Sequence, residues 1–186
     1  MQDLQGKSIA ILATHGFEQS ELEVPRDKLR EAGATVHVIS LEAGRIKGWD
    51  KDDWGRPVDV DRTLDAASSG DYDAIVLPGG QINPDLLRVE QSALDFIKAF
   101  WTGKKVVAAI CHAPWLLVET GIATGRKMTS YPSVKTDVIN AGAHWEVSPV
   151  VTDQGLVTSR NPGDLDAFCE KIAEEISEGR HERRAA

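Results

Sequence analysis

The chain has 186 residues, of which 41% are hydrophobic and 27% are charged, and its formal net charge is -8 at pH 7. These values are typical of one globular domain with a sizeable core, and the negative charge disfavours nucleic acid as a main partner. No apolar stretch is long enough to span a bilayer, the polar N-terminus does not resemble a signal peptide, and the two distant cysteines do not indicate a disulfide framework, so we expect a cytoplasmic protein.

The first part of the chain predicts a β-α-β unit. Residues 7–13 form a short apolar run, which is typical of a strand that is buried on both faces of a sheet. Residues 18–32 have the spacing of a helix that stops at Gly33, and residues 35–40 form an alternating, β-branched strand. Short connections between such elements predict a doubly wound α/β sheet.

Residues 42–62 interrupt this pattern with glycines, acidic residues and two tryptophans. We expect an irregular excursion or a small hairpin here, with Val58 and Val60 in a short edge strand. Trp49 and Trp54 lie in a polar segment where one subunit would bury them poorly. Three interpretations stay open for them: they cover an interface, they rim an active cleft, or they pack on the surface.

A further buried strand is predicted at residues 72–77, and it ends in a Pro-Gly-Gly turn. Gly79 and Gly80 would allow a close backbone approach and unusual φ angles, which suits an oxyanion site. Pro-Gly-Gly is also an ordinary turn, so the signal is weak when taken alone. One helix is expected to follow over residues 85–100.

The chain is organised around residues 105–115, where an apolar run stops at Cys111 and Pro114 opens a helical pattern. A strand, an abrupt turn and a helix are the geometry of a nucleophile elbow, which projects one side chain above the carboxyl edge of the sheet. The positive end of that helix would depress the pKa of the Cys111 thiol and favour the thiolate. The alternative is a buried cysteine that only ends a strand.

The last part of the chain contains short elements: strands at 127–130, 145–152 and 156–159, the second interrupted at Pro149, and a helix at 134–140. Asn161 and Pro162 then predict the start of a final helix, which carries Cys169 toward the core. We expect a single domain over residues 1–179 and a disordered tail over residues 180–186.

Two polar residues are candidates to assist Cys111. Glu21 follows the first strand, so a parallel sheet places it at the same edge as Cys111, where a protonated carboxyl could donate to the thiolate. An acidic residue in a first helical turn also often only compensates the helix dipole. The backbone N–H of His112 could complete an oxyanion hole with the amides of Gly79 and Gly80, and its side chain is interpreted either as a proton carrier or as a surface or interface histidine.

Short motifs occur in this order along the chain: Phe17-Glu18-x-x-Glu21-Leu-x-x-Pro25, Leu77-Pro78-Gly79-Gly80, Ala109-Ile110-Cys111-His112-Ala113-Pro114, Thr129-Ser130-Tyr131-Pro132 and Thr158-Ser159-Arg160-x-Pro162-x-Asp164-Leu165. Together they resemble the PfpI/ThiJ superfamily, and most closely its branch of PfpI-type intracellular proteases, general stress proteins and deglycases. The resemblance covers nearly the whole chain. It implies a flavodoxin-like α/β sandwich of three layers with a mostly parallel central sheet, related to class I glutamine amidotransferases.

The resemblance also implies roles for particular residues. Cys111 would be the nucleophile, Glu21 its hydrogen-bonded carboxyl partner, and His112 part of a triad completed by an acidic residue from a neighbouring subunit. Asp85 is the best match for that acidic residue, although its segment is one residue longer than usual and leaves the register open. Tyr131 matches a tyrosine near the active site of the family. A homodimer or a larger homo-oligomer is implied as well.

We therefore expect an enzyme in which the Cys111 thiolate attacks a peptide carbonyl, an α-oxoaldehyde or a glycated protein, with the amides of Gly80 and His112 holding the oxyanion. The alternative is a stress-response redox sensor or holding chaperone, whose Cys111 oxidises to sulfinic acid beside a protonated Glu21. A third interpretation is a structural subunit without a site. A metal site built from Cys111, His112 and His15 matches no ligand spacing, so no metal and no cofactor are expected.

Overall fold

The computed structural model describes residues 1–182. Its strands are β1 (Ser8–Leu12), β2 (Thr35–Ser40), β3 (Arg45–Asp50), β4 (Asp53–Asp59), β5 (Arg62–Thr63), β6 (Ala74–Leu77), β7 (Val106–Ile110), β8 (Lys127–Met128), β9 (His144–Trp145), β10 (Val150–Asp153) and β11 (Leu156–Ser159). Its α-helices are α1 (Gln19–Glu31), α2 (Ile82–Leu87), α3 (Gln91–Thr102), α4 (Pro114–Glu119), α5 (Lys135–Asn140) and α6 (Leu165–Glu178). Short 3₁₀ turns lie at Leu64–Ala66, Ser69–Asp71, Pro132–Val134 and Pro162–Asp164.

One seven-stranded sheet runs through the protein in the order β10-β11-β7-β6-β1-β2-β5. All neighbouring strands in this sheet are parallel except β10 and β11, which are antiparallel. The carboxyl ends of β1, β6 and β7 therefore meet at one edge of the sheet, where ligands bind in open α/β folds. The predicted α/β sandwich with a mostly parallel central sheet is confirmed.

Apolar side chains cover both faces of the sheet. In β1, Leu12 packs in the same cluster as Phe100 of α3, whereas Ile11 packs on the opposite face with Phe168 of α6. All four side chains are fully buried, and each such burial contributes roughly 1.5–3 kcal/mol to stability. Because both faces are covered, the strands are continuous apolar runs in the sequence. Cys169 of α6 is also fully buried, as predicted.

Two of the predicted elements are divided in the structure. The helix predicted over residues 85–100 is two helices, α2 and α3, because Glu90 has extended backbone angles and begins a new helix. These helices rest on different supports, since α2 packs against α4 and α3 packs against β6 and β7. The strand predicted over residues 145–152 is likewise divided: β9 pairs with β8 in a separate small sheet, whereas β10 pairs with β11.

The excursion over residues 42–62 is a hairpin of the antiparallel strands β3 and β4. Val58 lies in β4, whereas Val60 lies just beyond it, and the short edge strand of the main sheet is β5. The rings of Trp49 and Trp54 meet across the hairpin with centroids 5.5 Å apart. The backbone N–H of Trp49 donates to the carbonyl of Phe17 at 2.7 Å, which attaches the hairpin to the turn after β1.

The described chain stays packed beyond α6. The N–H of His181 donates to the carbonyl of Lys104 at 3.0 Å, and the Lys104 ammonium contacts the Glu182 carboxylate at 2.7 Å. At residues 180–182 the structure therefore differs from the predicted disordered tail, and residues 183–186 of that prediction lie outside the described part. None of the helices described in residues 1–182 is long and apolar enough to cross a membrane.

Candidate active site

Cys111 occupies the sharp turn between β7 and α4. Its φ of 65° lies in the left-handed region, which is strained for a residue with a side chain and is often found at functional positions. Two hydrogen bonds hold the turn: the Cys111 N–H donates to the carbonyl of Ser159 at 3.1 Å, and the Cys111 carbonyl accepts from the N–H of Tyr131 at 2.8 Å. This is the predicted nucleophile elbow.

Two backbone N–H groups, those of Gly80 and His112, are directed at the Cys111 sulfur. They are the pair predicted for an oxyanion hole. The N–H of Gly79 instead donates to Oε2 of Glu21 at 2.8 Å. The predicted oxyanion role of the Gly79 amide is therefore wrong, because this donor is already bound, and the residue positions Glu21 instead.

Glu21 extends from the first turn of α1 and is fully buried behind Cys111. Its Oε2 accepts the bond from Gly79, whereas Oε1 has no hydrogen-bond partner in the described chain. Burial is the main cause that raises the pKa of Glu21 to about 8. At pH 7 the carboxyl group is therefore mostly protonated and can donate to sulfur or to a bound substrate. A buried carboxyl of this kind does not act as a solvated charge on the helix dipole.

The environment of Cys111 does not depress its pKa. Burial raises the pKa of the Cys111 thiol, and the negative charge on Glu21 raises it further, while the N–H groups of Gly80 and His112 lower it. The predicted depression is therefore wrong for this geometry, since the side chain is only 6% exposed and α4 is a helix of six residues. The charge of Glu21 acts only while that carboxyl is ionised, so protonation of Glu21 removes the repulsion and supplies a hydrogen-bond donor.

The side chain of His112 lies beside the sulfur. Its Nδ1 is 3.1 Å from Sγ of Cys111, and its Nε2 is 3.1 Å from Oγ of Ser133. The ring stacks on Tyr131 with centroids 4.7 Å apart, and it is only 5% exposed, which excludes the surface-histidine interpretation. Burial lowers the pKa of His112, so the ring is neutral at pH 7 and can accept a proton from the thiol.

Asp85 and His15 are not part of this cluster in the described chain. Asp85 is exposed in the first turn of α2 and hydrogen-bonds neither Cys111 nor His112, so its role toward a neighbouring subunit stays a prediction. The Nδ1 of His15 accepts from the N–H of Lys47 at 3.1 Å and does not join Cys111 in a ligand set. Within residues 1–182, the metal-binding spacing occurs in another place, near the end of α6: Glu175, Glu178 and His181.

A cleft of about 450 Å³ opens above Cys111. It is lined by residues of α1, of the hairpin and of the segments that follow β1, β6, β7, β8 and β11: Gly16, Glu18, Glu21, Trp49, Lys51, Gly80, Gln81, Ile82, Cys111, His112, Tyr131 and Pro162. Trp49 thus rims the active cleft, which was one of the three interpretations from the sequence. Tyr131 lines the cleft as the resemblance implied.

Sequence reasoning missed several residues of the site. Glu18 lines the cleft, and burial together with the charge of Asp50 raises its pKa. The sequence could have indicated Glu18, because it lies three residues before Glu21 and residues at that spacing share a helix face. Asn83 is fully buried: its Oδ1 accepts from the N–H of Thr14 at 2.7 Å and its Nδ2 donates to the carbonyl of Pro78 at 2.8 Å. It joins the turn after β1 to the turn after β6.

The DJ-1/PfpI family matches the chain over residues 7–175. The chain is 42% identical over 163 residues to "Putative cysteine protease YraA" of Bacillus subtilis, covering 87% of this chain and 94% of that protein. It is 44% identical over 165 residues to "General stress protein 18" of the same organism, with 88% and 94% covered. It is 40% identical over 160 residues to "Deglycase PH1704" of Pyrococcus horikoshii, with 86% and 93% covered.

Among solved structures, the chain is similar to DJ-1beta of Drosophila melanogaster. The TM-score is 0.83 at 32% sequence identity, and the match covers 96% of this chain and 95% of that one. The predicted resemblance and the flavodoxin-like fold that it implied are both confirmed by these matches.

Proposed function

Because the chain belongs to the DJ-1/PfpI family, we propose that it is a stress-related cysteine-dependent enzyme whose Cys111 attacks the carbonyl carbon of a small aldehyde or of an aldehyde adduct on protein. One observation carries this proposal. Sγ of Cys111 sits at a strained elbow, 3.1 Å from Nδ1 of His112, with the protonated Glu21 buried behind it. A nucleophile needs a base and a proton donor in this arrangement.

The size of the cleft favours a small electrophile over an extended peptide. Its volume of about 450 Å³ is that of a pocket for one small molecule or one modified side chain. Cys111 lies at its base and is nearly covered, whereas Trp49 and Tyr131 stand at its rim. The name of the relative from Pyrococcus horikoshii, a deglycase, supports this choice, and the name of the relative YraA supports peptide hydrolysis as the competing activity.

The reaction begins when the Cys111 thiol transfers its proton to Nδ1 of His112, and the sulfur adds to the carbonyl carbon. The carbonyl oxygen takes up the electron pair beside the N–H groups of Gly80 and His112, where the developing negative charge is stabilised. The oxygen then takes the proton from His112, which gives a hemithioacetal on Cys111; with an adduct on lysine, the amine leaves the same carbon with a proton from Glu21.

The C–H proton of the carbon bound to Cys111 moves to the neighbouring ketone carbon through an enediol, with His112 as the base and Glu21 as the proton donor, and a thioester forms without a net change of oxidation state. Water adds to the thioester, the C–S bond breaks, and the hydroxy acid leaves while the sulfur regains a proton from His112.

A redox role is the second candidate, and one observation favours it. Oε1 of Glu21 is a buried carboxyl oxygen without a hydrogen-bond partner in the described chain, and the carboxyl group to which it belongs interacts with Cys111. A protonated carboxyl in this position would donate to a sulfinate at Cys111. Turnover and oxidation therefore have to be measured on the same preparation.

The test is the substitution Cys111→Ala, with Cys169→Ala as the matched control at the other, fully buried cysteine. The substrates are methylglyoxal, methylglyoxal-treated N-acetyl-lysine and a fluorogenic peptide. We expect turnover of the first two by the parent protein, a loss of at least about 1000-fold in Cys111→Ala because the nucleophile is gone, and near-parent rates in Cys169→Ala.

Unchanged turnover in Cys111→Ala would contradict the proposal. Turnover of the peptide alone would assign hydrolysis of peptides instead. If no substrate of the panel is turned over while mild peroxide converts Cys111 to sulfinic acid, as mass spectrometry would show, the redox role replaces the enzymatic one.

A further inference from the structure

The ring of His112 has a hydrogen-bonding partner at each nitrogen: Sγ of Cys111 at Nδ1 and Oγ of Ser133 at Nε2, both at 3.1 Å. We propose that Ser133 is a positioning residue, which fixes the ring of His112 and takes the hydrogen bond of its outer nitrogen, so that Cys111, His112 and Ser133 form a relay within one chain. This inference rests on the proposed function, because it assigns the residue that supports the base of that reaction.

The segment that carries Ser133 is clamped to the elbow at three points. The N–H of Tyr131 donates to the carbonyl of Cys111 at 2.8 Å, and the Tyr131 ring covers one face of His112. Pro132–Val134 then forms a 3₁₀ turn that presents the Ser133 hydroxyl to Nε2. The face and the outer edge of the imidazole are thus held by two residues of one short segment, Tyr131 and Ser133, which orients the ring toward the sulfur.

A hydroxyl is suited to both states of the base. When the S–H bond of Cys111 breaks and the N–H bond at Nδ1 forms, the electron pair stays on sulfur and both ring nitrogens of His112 carry a proton. The Nε2–H then needs an acceptor, which Ser133 supplies with its oxygen lone pairs. In the neutral ring that can take the thiol proton, Nδ1 carries the lone pair and Nε2–H already donates to the same Ser133 oxygen. Alanine offers no acceptor in either state, whereas threonine offers one in both.

The other groups around His112 define what else could set its titration. Tyr131 stacks on one face, and Trp115 packs against the ring without a titratable group. Cys111 lies at Nδ1, and Glu21 lies beyond the sulfur. Glu18 and Lys51 line the far side of the same cleft. None of the carboxylates in the described chain hydrogen-bonds Nε2, so the neutral Ser133 hydroxyl is the group placed to stabilise the imidazolium there.

Asp85 of a neighbouring subunit is the competing partner for Nε2, since the family resemblance predicts a triad completed across subunits. The Ser133 hydroxyl and the Asp85 carboxylate would compete for the same hydrogen bond at Nε2 of His112. The two assignments therefore make opposite predictions for substitutions at Ser133 and at Asp85, and the comparison can be made in the intact assembly.

The experiment measures two quantities from pH 5 to pH 10: kcat/KM for methylglyoxal and the rate at which iodoacetamide alkylates Cys111. The variants are Ser133→Ala, Ser133→Thr, Asp85→Asn and Cys111→Ala, with Ser177→Ala at an exposed hydroxyl of α6 as the control. We expect Ser133→Ala to lower both rates about tenfold at pH 7 and to move the midpoint of the acidic limb of kcat/KM to lower pH, because the imidazolium of His112 loses a charge-assisted hydrogen bond. Ser133→Thr should restore both rates and the midpoint.

Parent-like rates and midpoint in Ser133→Ala overturn the inference, and a concurrent loss in Asp85→Asn would assign Nε2 to the partner subunit. A loss in Ser133→Ala that threonine does not restore, or that occurs without a shift of the midpoint, also overturns it, since a purely structural defect behaves in that way. Turnover that persists in Cys111→Ala contradicts the proposed function itself, whatever the result at Ser133.

Discussion

Glu21 and Cys111 are two neighbouring ionisable groups, of which only Glu21 has a pKa near neutral pH. Burial raises the pKa of both groups, and each negative charge disfavours the other, so the pair carries at most one charge at pH 7. Glu21 accepts a backbone N–H on one oxygen only, and its second oxygen has no hydrogen-bond partner in residues 1–182. The position of a single proton therefore decides whether Cys111 faces a donor or a repelling charge.

The raised pKa of Glu21 predicts that the free energy of unfolding changes with pH. Its pKa is about 8 in the folded protein against an ordinary value of 4.5, so folding favours the protonated form. The resulting stabilisation is complete below pH 4.5 and is lost as the pH rises to 8; it is on the order of 5 kcal/mol, since one pKa unit corresponds to about 1.4 kcal/mol. Glu21→Gln, which is neutral at every pH, should remove this loss.

Urea unfolding of the parent protein and of Glu21→Gln at pH 5 and pH 8 measures the effect. The free energy of unfolding should fall more steeply in the parent, and Glu31→Gln at the exposed end of α1 should follow the parent. Equal slopes in the parent and in Glu21→Gln would show that Glu21 does not retain its proton on folding.

At the scale of elements, the turn between β6 and α2 is the tightest junction of the site. Gly80 has a φ of 78°, and a Cβ atom there would lie 2.4 Å from the carbonyl oxygen of Gly16 and 2.7 Å from the N–H nitrogen of Glu18. Both neighbours are backbone atoms of the turn after β1, so neither can move aside cheaply. The close approach lets the Gly80 N–H reach the Cys111 sulfur.

We therefore expect Gly80→Ala to destabilise the protein by more than about 3 kcal/mol and to abolish turnover, because it combines backbone strain with overlap of backbone atoms. Gly121→Ala is the matched control, since Gly121 has a φ of 75° but no atom within 4 Å of the added Cβ. Gly121→Ala should lower the free energy of unfolding only by the backbone strain, roughly 1–2 kcal/mol, and it should keep turnover. Thermal and urea unfolding measure both; equal losses in the two variants would contradict the role assigned to the close approach.

The sequence predicted the bounds of elements that are defined by a local pattern of residues. It did not predict features that depend on how distant parts of the chain pack together. The strands β2 and β11 match their predicted ranges, because alternation or a closed apolar run defines them. The break between α2 and α3 has no proline or glycine, and it arises because the two helices pack on different partners. The pKa of Cys111 was predicted in the wrong direction because the depth of burial at the elbow is a property of the assembled sheet edge.

At the scale of the whole molecule, the sheet order explains why distant residues meet. β7, β6 and β1 are consecutive neighbours and parallel, so Cys111, Gly80 and the helix that carries Glu21 all start from one edge. Asn83 joins the turn after β1 to the turn after β6, and the hairpin strand β3 is hydrogen-bonded to the turn after β1. Motif spacing in the sequence could indicate the participants, but the contact of His112 with Ser133 requires the path of the chain after β8.

The same edge bears an apolar surface that suits a second copy of the chain. Ile82, Leu86 and Val89 are exposed and recur at the spacing of one helix face on and just after α2, beside the cleft. Asp85 lies on the same helix, and the family resemblance predicts that it serves a neighbouring subunit. We propose that the protein is a homodimer or larger homo-oligomer that buries this surface.

A charge at Val89 should therefore weaken the assembly. Val89 is 77% exposed and Val147, in the loop between β9 and β10, is 73% exposed, so the variants Val89→Lys and Val147→Lys are matched in exposure but not in position. Burying an unpaired ammonium at an interface should raise the dissociation constant by about 100-fold or more in Val89→Lys, while Val147→Lys should leave it unchanged. Sedimentation velocity over a dilution series measures this, and a monomeric parent protein at micromolar concentration, or dissociation in Val147→Lys alone, would contradict the proposed interface.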